Sequence, residues 1–67
     1  MSVARITEIS VGSPTSFEDA IRTGVDRANK TLRNVRGAWV KEQQVVVEHE
    51  AIKEFRVNLM VTFILDD

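Results

Sequence analysis

The stretch from residue 53 to residue 65, KEFRVNLMVTFIL, alternates apolar and mixed side chains more regularly than any other part of the chain. Successive side chains of a β-strand point to opposite faces, so this pattern predicts a long strand. One predicted face is continuously apolar and consists of Phe55, Val57, Leu59, Val61, Phe63 and Leu65. The other is mixed and consists of Arg56, Asn58, Met60, Thr62 and Ile64. Such a strand needs neighbouring strands for its backbone hydrogen bonds and another element to cover its apolar face.

An amphipathic helix earlier in the chain is the natural cover. Thr15 precedes Glu18 by three residues, which is the spacing of a capping box and predicts a helix that begins at Ser16. The apolar positions that follow recur at steps of three and four and form one stripe: Phe17, Ala20, Ile21, Gly24, Val25, Ala28 and Leu32. A glycine in that stripe, Gly24, indicates close approach to the surface beneath. Asn34 or Gly37 is expected to end the helix.

Two further strands complete the predicted fold. Residues 3–10 alternate and end before Gly12, and residues 38–47 are rich in valine and contain the single tryptophan. A charged turn at residues 48–51 separates the second strand from the long third one. We therefore predict an α+β fold with the order β-α-β-β, in which a three-stranded antiparallel sheet packs on one helix. The whole chain, residues 1–67, is expected to form one domain.

Size and composition indicate self-association. A chain of 67 residues buries only about 60% of the surface that it exposes when unfolded, so its monomer is expected to be marginally stable. The chain has no cysteine, and a disulfide therefore cannot stabilise it. The mixed face of the sheet carries Trp39, Met60 and Ile64, with Ile6 or Ile9, and these residues need a partner other than the helix. An exposed apolar patch of this kind is typical of a protein or ligand interface.

Charge and motifs exclude several classes of function. The formal net charge is −1 with the charges dispersed, so we expect no nucleic-acid partner. No apolar run approaches the roughly 20 residues of a membrane span, and the expected location is the cytoplasm. The three glycines are too far apart for a phosphate-binding loop. One histidine and no cysteine leave no catalytic triad, so we expect no enzymatic activity.

Three segments resemble the dodecin family. They are residues 7–21, with TEI, GSPTS and EDAI, residues 27–43, RANKTLRNVRGAWVKEQ, and residues 54–67, EFRVNLMVTFILDD. The resemblance covers nearly the whole chain, including its length and the order of its elements. It implies a hollow homododecamer, built from trimers of β-α-β-β protomers, and it implies a flavin, riboflavin or FMN, as the cofactor that many members bind.

The resemblance also implies which residues would contact the flavin. Flavin-binding dodecins stack the ring on a tryptophan just after the helix, and alignment places Gly37 at that position and Trp39 two positions later. Residues two apart on a strand face the same side, about 6–7 Å from each other. Gln44 and Arg56 match the polar positions that contact the flavin in the second and third strands. Burial of Trp39 in a subunit interface is the alternative to ligand stacking.

The function that follows is non-catalytic binding, storage or sequestration of a flavin. The alternative is a structural or ion-binding shell of the same kind that binds no flavin. Asp66, Asp67 and Glu42 could supply oxygen ligands to calcium or magnesium at an assembly axis, but solvated side chains at a terminus are the simpler interpretation. His49 lies between two glutamates in the predicted turn and is interpreted as a loop residue. We therefore predict no metal site in the protomer.

Overall fold

The computed structural model describes residues 2–65 and contains one helix and three strands in the predicted order. Strand β1 spans Ala4–Ser13, helix α1 spans Phe17–Thr31, strand β2 spans Val35–Glu48 and strand β3 spans Ala51–Ile64. Within the described residues, no helix has the length and apolar character needed to cross a membrane.

The sheet is antiparallel and has the strand order β1-β3-β2, so the long third strand is central. Leu59, in the middle of β3, pairs with Ile9 of β1 on one side and with Val40 of β2 on the other. This arrangement confirms the predicted three-stranded antiparallel sheet. It also explains the regular alternation of β3, because the central strand pairs along both edges and has one fully covered face.

The helix begins at Phe17, one residue after the predicted start at Ser16, and a different residue caps it. Ser16 is the N-cap, and its hydroxyl accepts a hydrogen bond of 3.0 Å from the backbone N–H of Asp19. The predicted capping box of Thr15 with Glu18 is therefore wrong by one residue. The backbone N–H of Thr15 instead donates to the buried hydroxyl of Ser13, which in turn donates to the Asp19 carboxylate at 2.6 Å. These bonds connect the end of β1 to the first turn of the helix.

The C-terminal end of the helix also differs from the prediction. Helical structure ends at Thr31, and the backbone N–H of Leu32 donates to the carbonyl of Ala28 at 2.8 Å. Asn34, expected as a possible end, lies three residues further on in the left-handed region with φ of 60°. It marks the start of β2 rather than the last helical turn, because an extended segment leads up to it.

The core lies between the small-residue stripe of α1 and the apolar face of β3. The buried apolar side chains are Ala20, Ala28, Val57, Leu59 and Val61. Gly24 brings the helix backbone close to the sheet: a Cβ at this position would lie 2.8 Å from both Leu59 Cδ1 and Val11 Cγ2. The close approach indicated by the sequence is thus confirmed. Phe17 packs edge-on against Phe55, with ring centroids 5.2 Å apart, at the N-terminal end of the helix.

The helix is much shorter than the hairpin on which it packs. Its 15 residues extend about 22 Å, whereas 14 residues of β2 or β3 extend about 46 Å. The described chain is accordingly elongated, with extents of 51 × 19 × 14 Å. The helix leaves the far part of the hairpin uncovered, and Val45, Val47 and Ile52 are exposed there.

The turn that joins β2 to β3 holds two residues in a conformation that favours glycine. His49 has φ of 52° and Glu50 has φ of 63°, although neither is glycine, asparagine or aspartate. Positive φ at both central residues is the signature of the type I′ hairpin turn, which suits the twist of the strands. For residues with a Cβ, this conformation costs roughly 1–2 kcal/mol each.

We expect Gly24→Val to lower the free energy of unfolding by about 1–3 kcal/mol, because the added side chain overlaps Leu59 and Val11. Urea unfolding at fixed protein concentration measures the change. Asp26→Val is the matched control, since it places the same β-branched residue at an exposed position of the same helix. Equal stability of the two variants would show that the helix tolerates a side chain at position 24.

We expect His49→Gly to be more stable than His49→Ala by about 1 kcal/mol. Both variants remove the imidazole, but only glycine relieves the positive φ, so their difference isolates the backbone effect. Urea midpoints at equal protein concentration give the comparison. A glycine variant no more stable than the alanine variant would mean that residue 49 is not held in the left-handed region.

Candidate functional site

The face of the sheet turned away from the helix, called here the outer face, holds all four predicted site residues. The pairing register shows this because cross-strand partners share a face. Four pairs between β2 and β3 run along it: Gly37 with Thr62, Trp39 with Met60, Glu42 with Asn58, and Gln44 with Arg56. On β3 these positions alternate with Val57, Leu59 and Val61, which are buried in the core.

A β-bulge at Lys41 is the reason that Trp39 and Gln44 share the outer face. The two residues are five positions apart, and strict alternation would place them on opposite faces. The register shifts between Val40 and Glu42, so one extra residue is accommodated in β2 and the alternation is reset. A similar shift between Val35 and Gly37 precedes the tryptophan. Gly37 and Trp39 lie between these shifts and keep the two-residue spacing that the sequence predicts.

The end of the outer face that contains Trp39 is apolar. Trp39 is 49% exposed and lies opposite Met60, and Ile6 of β1, also 49% exposed, pairs with Thr62 one step along. The sequence left the choice between Ile6 and Ile9 open for this face. Ile6 belongs to it, whereas Ile9 packs against the core beneath the helix, because the two residues are an odd number of positions apart.

A polar network occupies the middle of the outer face. The Glu8 carboxylate accepts hydrogen bonds from Lys41 Nζ and from Asn58 Nδ2, each at 3.2 Å. One residue comes from each strand, so the network forms only when the sheet assembles. The sequence alternation placed Asn58 on this face, but Glu8 and Lys41 were missed, since finding them requires the strand order and the bulge.

The end of the outer face nearest the turn centres on Arg56. One guanidinium nitrogen donates to the Ser10 hydroxyl at 2.8 Å, and the other donates to Glu54 Oε1 at 3.0 Å. Gly12 pairs with Arg56, and a Cβ there would overlap the Glu54 carboxylate. Glycine therefore leaves the space in which the arginine and the glutamate meet. The guanidinium is fixed in position by these two contacts.

The predicted residues lie on one face, but they do not meet at one point within the protomer. Arg56 is four residues from Met60 along β3, a distance of about 13 Å, and Gln44 lies at the same level as Arg56. A ring stacked on Trp39 would therefore first meet the network of Glu8, Lys41 and Asn58. A ligand that contacted both Trp39 and the pair of Gln44 and Arg56 would have to be elongated, or these contacts would have to come from different subunits.

The backbone at Gly37 is open. A Cβ added at this position would have no atom within 4 Å, and the residue does not have a positive φ. Nothing in the described chain therefore requires glycine at position 37. The space above it is free for a ligand, for a neighbouring subunit or for a larger side chain.

Within residues 2–65, no group of three or more histidine, aspartate or glutamate side chains is close enough to hold a metal ion. Glu42 lies on the outer face opposite Asn58, and His49 occupies the hairpin turn. Asp66 and Asp67, which the sequence suggested as additional oxygen ligands, lie outside the described residues.

The outer face thus combines an exposed indole, a hydrogen-bonding centre and a fixed guanidinium along one sheet. This arrangement suits a planar ligand with polar edges and an anionic or hydroxylated tail. Fold and surface together define a class, a small α+β protein with one helix on one face of its sheet and an outer face that no helix covers.

Comparison with known proteins specifies this class. The family model described as Dodecin matches residues 3–66. The chain is 36% identical over 63 residues to calcium dodecin of Mycobacterium tuberculosis, covering 94% of this chain and 89% of that relative. The structure of dodecin from Streptomyces davaonensis is similar with a TM-score of 0.93 and 33% identity, over 98% of this chain and 97% of that one.

The crystal structure of the Mycobacterium tuberculosis calcium dodecin is also similar. Its TM-score is 0.82 at 35% identity, over 92% of this chain and 89% of that chain, and it is described as having a novel calcium-binding site. The chain belongs to the dodecin family. The resemblance inferred from residues 7–21, 27–43 and 54–67 is therefore confirmed.

Proposed function

We propose that this protein binds a flavin, riboflavin or FMN, without catalysing a reaction on it, and so stores or sequesters it. The observation that carries the proposal is the half-exposed Trp39 on the outer face, beside Met60 and next to a polar network. An exposed indole on a sheet provides a flat surface for an aromatic ring. Membership of the dodecin family supports this function, since many dodecins bind flavin.

The residues of the outer face would divide the recognition among them. Trp39 and Met60 would cover one face of the ring, and Asn58 and Lys41 would offer hydrogen-bond donors to its polar edge. Arg56 would bind a phosphate or hydroxyl group of the tail. The indole of Trp39, when stacked, would also quench an excited ring by electron transfer, which protects both ligand and protein from light damage.

The assembly that would enclose the ligand is the homododecamer expected of this family. Dodecins are homo-oligomers, and a dodecamer would bring two outer faces together across a symmetry axis, so that water is excluded from the ligand between them. The marginal core of a 67-residue chain supports the same conclusion. Native mass spectrometry tests it: a mass of twelve subunits is expected, and a stable monomer or trimer alone would contradict it. The cytoplasmic location and the lack of nucleic-acid binding stay predictions.

A flavin titration tests the proposed function directly. The chain has one tryptophan, so protein fluorescence reports on Trp39 alone. We expect riboflavin and FMN to quench this fluorescence, and to lose their own fluorescence, at micromolar concentrations. Trp39→Ala should weaken binding about five- to 150-fold, the equivalent of roughly 1–3 kcal/mol of stacking, while Trp39→Phe retains most of it.

The controls separate ligand binding from assembly. Native mass spectrometry of Trp39→Ala shows whether the oligomer persists, because burial of the indole between subunits would make this variant dissociate instead. Arg56→Gln distinguishes the ligands: weaker binding of FMN with unchanged binding of riboflavin assigns the guanidinium to the phosphate. The absence of quenching by any flavin would refute the proposal.

The relative that binds calcium supports a second candidate, an ion-binding shell. The calcium dodecin is 36% identical to this chain, and the acidic residues suggested by the sequence could be brought together by symmetry. The chain would then retain the assembly without the flavin site. Isothermal titration of metal-free protein with calcium tests this, with Glu42→Gln as the variant that should lose binding if Glu42 is a ligand.

Gly37→Trp distinguishes the two candidates, since it restores an aromatic residue at the position used by flavin-binding dodecins. The side chain has room, as a Cβ at this position would have no atom within 4 Å. If the native protein binds flavin through Trp39, the substitution should change affinity by less than about tenfold. If the native protein binds no flavin and the Gly37→Trp variant binds flavin tightly, the native chain belongs to the second candidate, the ion-binding shell that binds no flavin. The flavin titration described above gives the measurement.

A further inference from the structure

The guanidinium of Arg56 extends toward the centre of the outer face. One of its nitrogens donates to the Ser10 hydroxyl at 2.8 Å, and Ser10 pairs with Asn58, which lies one pair nearer to Trp39 than Arg56 does. This step brings the charged group about 6–7 Å closer to the indole than the Arg56 backbone is. The guanidinium therefore lies where the tail of a ligand would pass if its ring stacked on Trp39.

Glu54 already neutralises this guanidinium. The other terminal nitrogen of Arg56 donates to Glu54 Oε1 at 3.0 Å, and the side chains of Arg56 and Glu54 are only 34% and 29% exposed. Charges that are partly shielded from water interact more strongly and are screened less by salt than charges at an open surface. An anion that approached Arg56 would therefore also be repelled by the Glu54 carboxylate.

Gly12 provides the space that this carboxylate occupies. It pairs with Arg56 across the sheet, and a Cβ at position 12 would overlap the carboxylate of Glu54. Gly12 does not have a positive φ, so its backbone conformation does not require glycine. The missing side chain at position 12 thus allows Glu54 to lie against the arginine.

The charge on the rest of this surface has the same sign as Glu54. Between Trp39 and Arg56, the described residues place three carboxylates and two cations on the outer face, which leaves a net negative charge. These residues are Glu8, Glu42, Glu54, Lys41 and Arg56. The surface therefore has no excess positive charge with which to hold an anionic tail.

We propose that this site selects a ligand whose tail is neutral and hydroxylated over one whose tail ends in a phosphate, and that Glu54 determines this specificity. The inference rests on the proposed flavin binding and favours riboflavin over FMN. A hydroxyl group donates to the Glu54 carboxylate and accepts from Arg56, so a polyol chain can bond to both. A phosphate carries a charge of about −1.5 to −2 at pH 7, so its attraction to Arg56 is opposed by repulsion from Glu54.

The ratio of the dissociation constants of FMN and riboflavin tests this selection, because the two ligands differ only in the phosphate. Flavin quenching should show that the native protein binds FMN at least about tenfold more weakly than riboflavin. Glu54→Gln keeps the shape of the side chain and removes its charge. We expect it to tighten FMN binding about tenfold and to change riboflavin binding by less than about threefold.

Glu50→Gln is the matched control, since it removes the same charge in the hairpin turn, about 17 Å or more from Arg56 along β3. It should leave the ratio unchanged. Gly12→Ala gives an independent test, because its methyl group displaces the Glu54 carboxylate without removing the charge from the chain. This variant should also lower the ratio, with circular dichroism and native mass spectrometry to verify that fold and assembly are retained.

The outcomes separate this inference from the proposed function. If both flavins quench and the native protein binds FMN as tightly as riboflavin or more tightly, the selection is overturned and flavin binding stands. The same conclusion follows if Glu54→Gln leaves the ratio unchanged. If neither flavin quenches, the proposed function fails and this inference fails with it.

Discussion

The structure depends on the packing of one 15-residue helix against strands of 14 residues. An α-helix rises about 1.5 Å per residue and a strand about 3.3 Å, so the helix covers only half of the hairpin. Its stripe of Ala20, Gly24 and Ala28 has little side-chain volume and allows the backbone to lie close to β3. This close contact forms the core, and it leaves the remaining apolar surface without cover.

Two surfaces remain for partners because of this limited coverage. The outer face has no helix at all, and it exposes Trp39 and Ile6. The hairpin tip extends past the helix and exposes Val47 and Ile52. A domain of this size has no spare residues with which to cover either surface. The protomer is therefore built for association, and the proposed ligand binding and the assembly would have the same physical origin.

Much of the fold follows from the sequence because the strongest signals are local. The alternation in β3 reflects a strand with one buried and one open face, and the spacing of small residues in α1 reflects one packed stripe. The cap was misassigned to Thr15 because Ser16 is an equally good capping residue one position later. Which of two neighbouring residues caps the helix depends on how the preceding strand ends. Strand β1 ends at Ser13, which contacts both Thr15 and Asp19.

The site was less predictable because it depends on pairing between distant segments. Arg56 and Met60 were assigned to the correct face by alternation alone. Gln44 shares that face with Trp39 only through the bulge at Lys41, for which the local sequence gives no distinctive signal. The bond between Glu8 and Lys41 joins residues 33 positions apart across the central strand. Such a contact becomes visible only when the strand order β1-β3-β2 is known.

Flavin-binding dodecins have their stacking tryptophan at the position that aligns with Gly37, whereas the tryptophan of this chain is Trp39. The difference of two positions would affect any site shared by two subunits. In the proposed assembly a two-fold axis would relate the two outer faces, so moving each indole by one pair along its strand, about 6–7 Å, would change the separation of the two indoles by up to about 13 Å. The neighbours change as well, since Thr62 pairs with Gly37 whereas Met60 pairs with Trp39. A ligand on Trp39 would contact Met60 and lie one step from the Glu8, Lys41 and Asn58 network. Hydrogen bonds from this network to the edge of the ring would then compensate for weaker stacking of the ring between the two indoles.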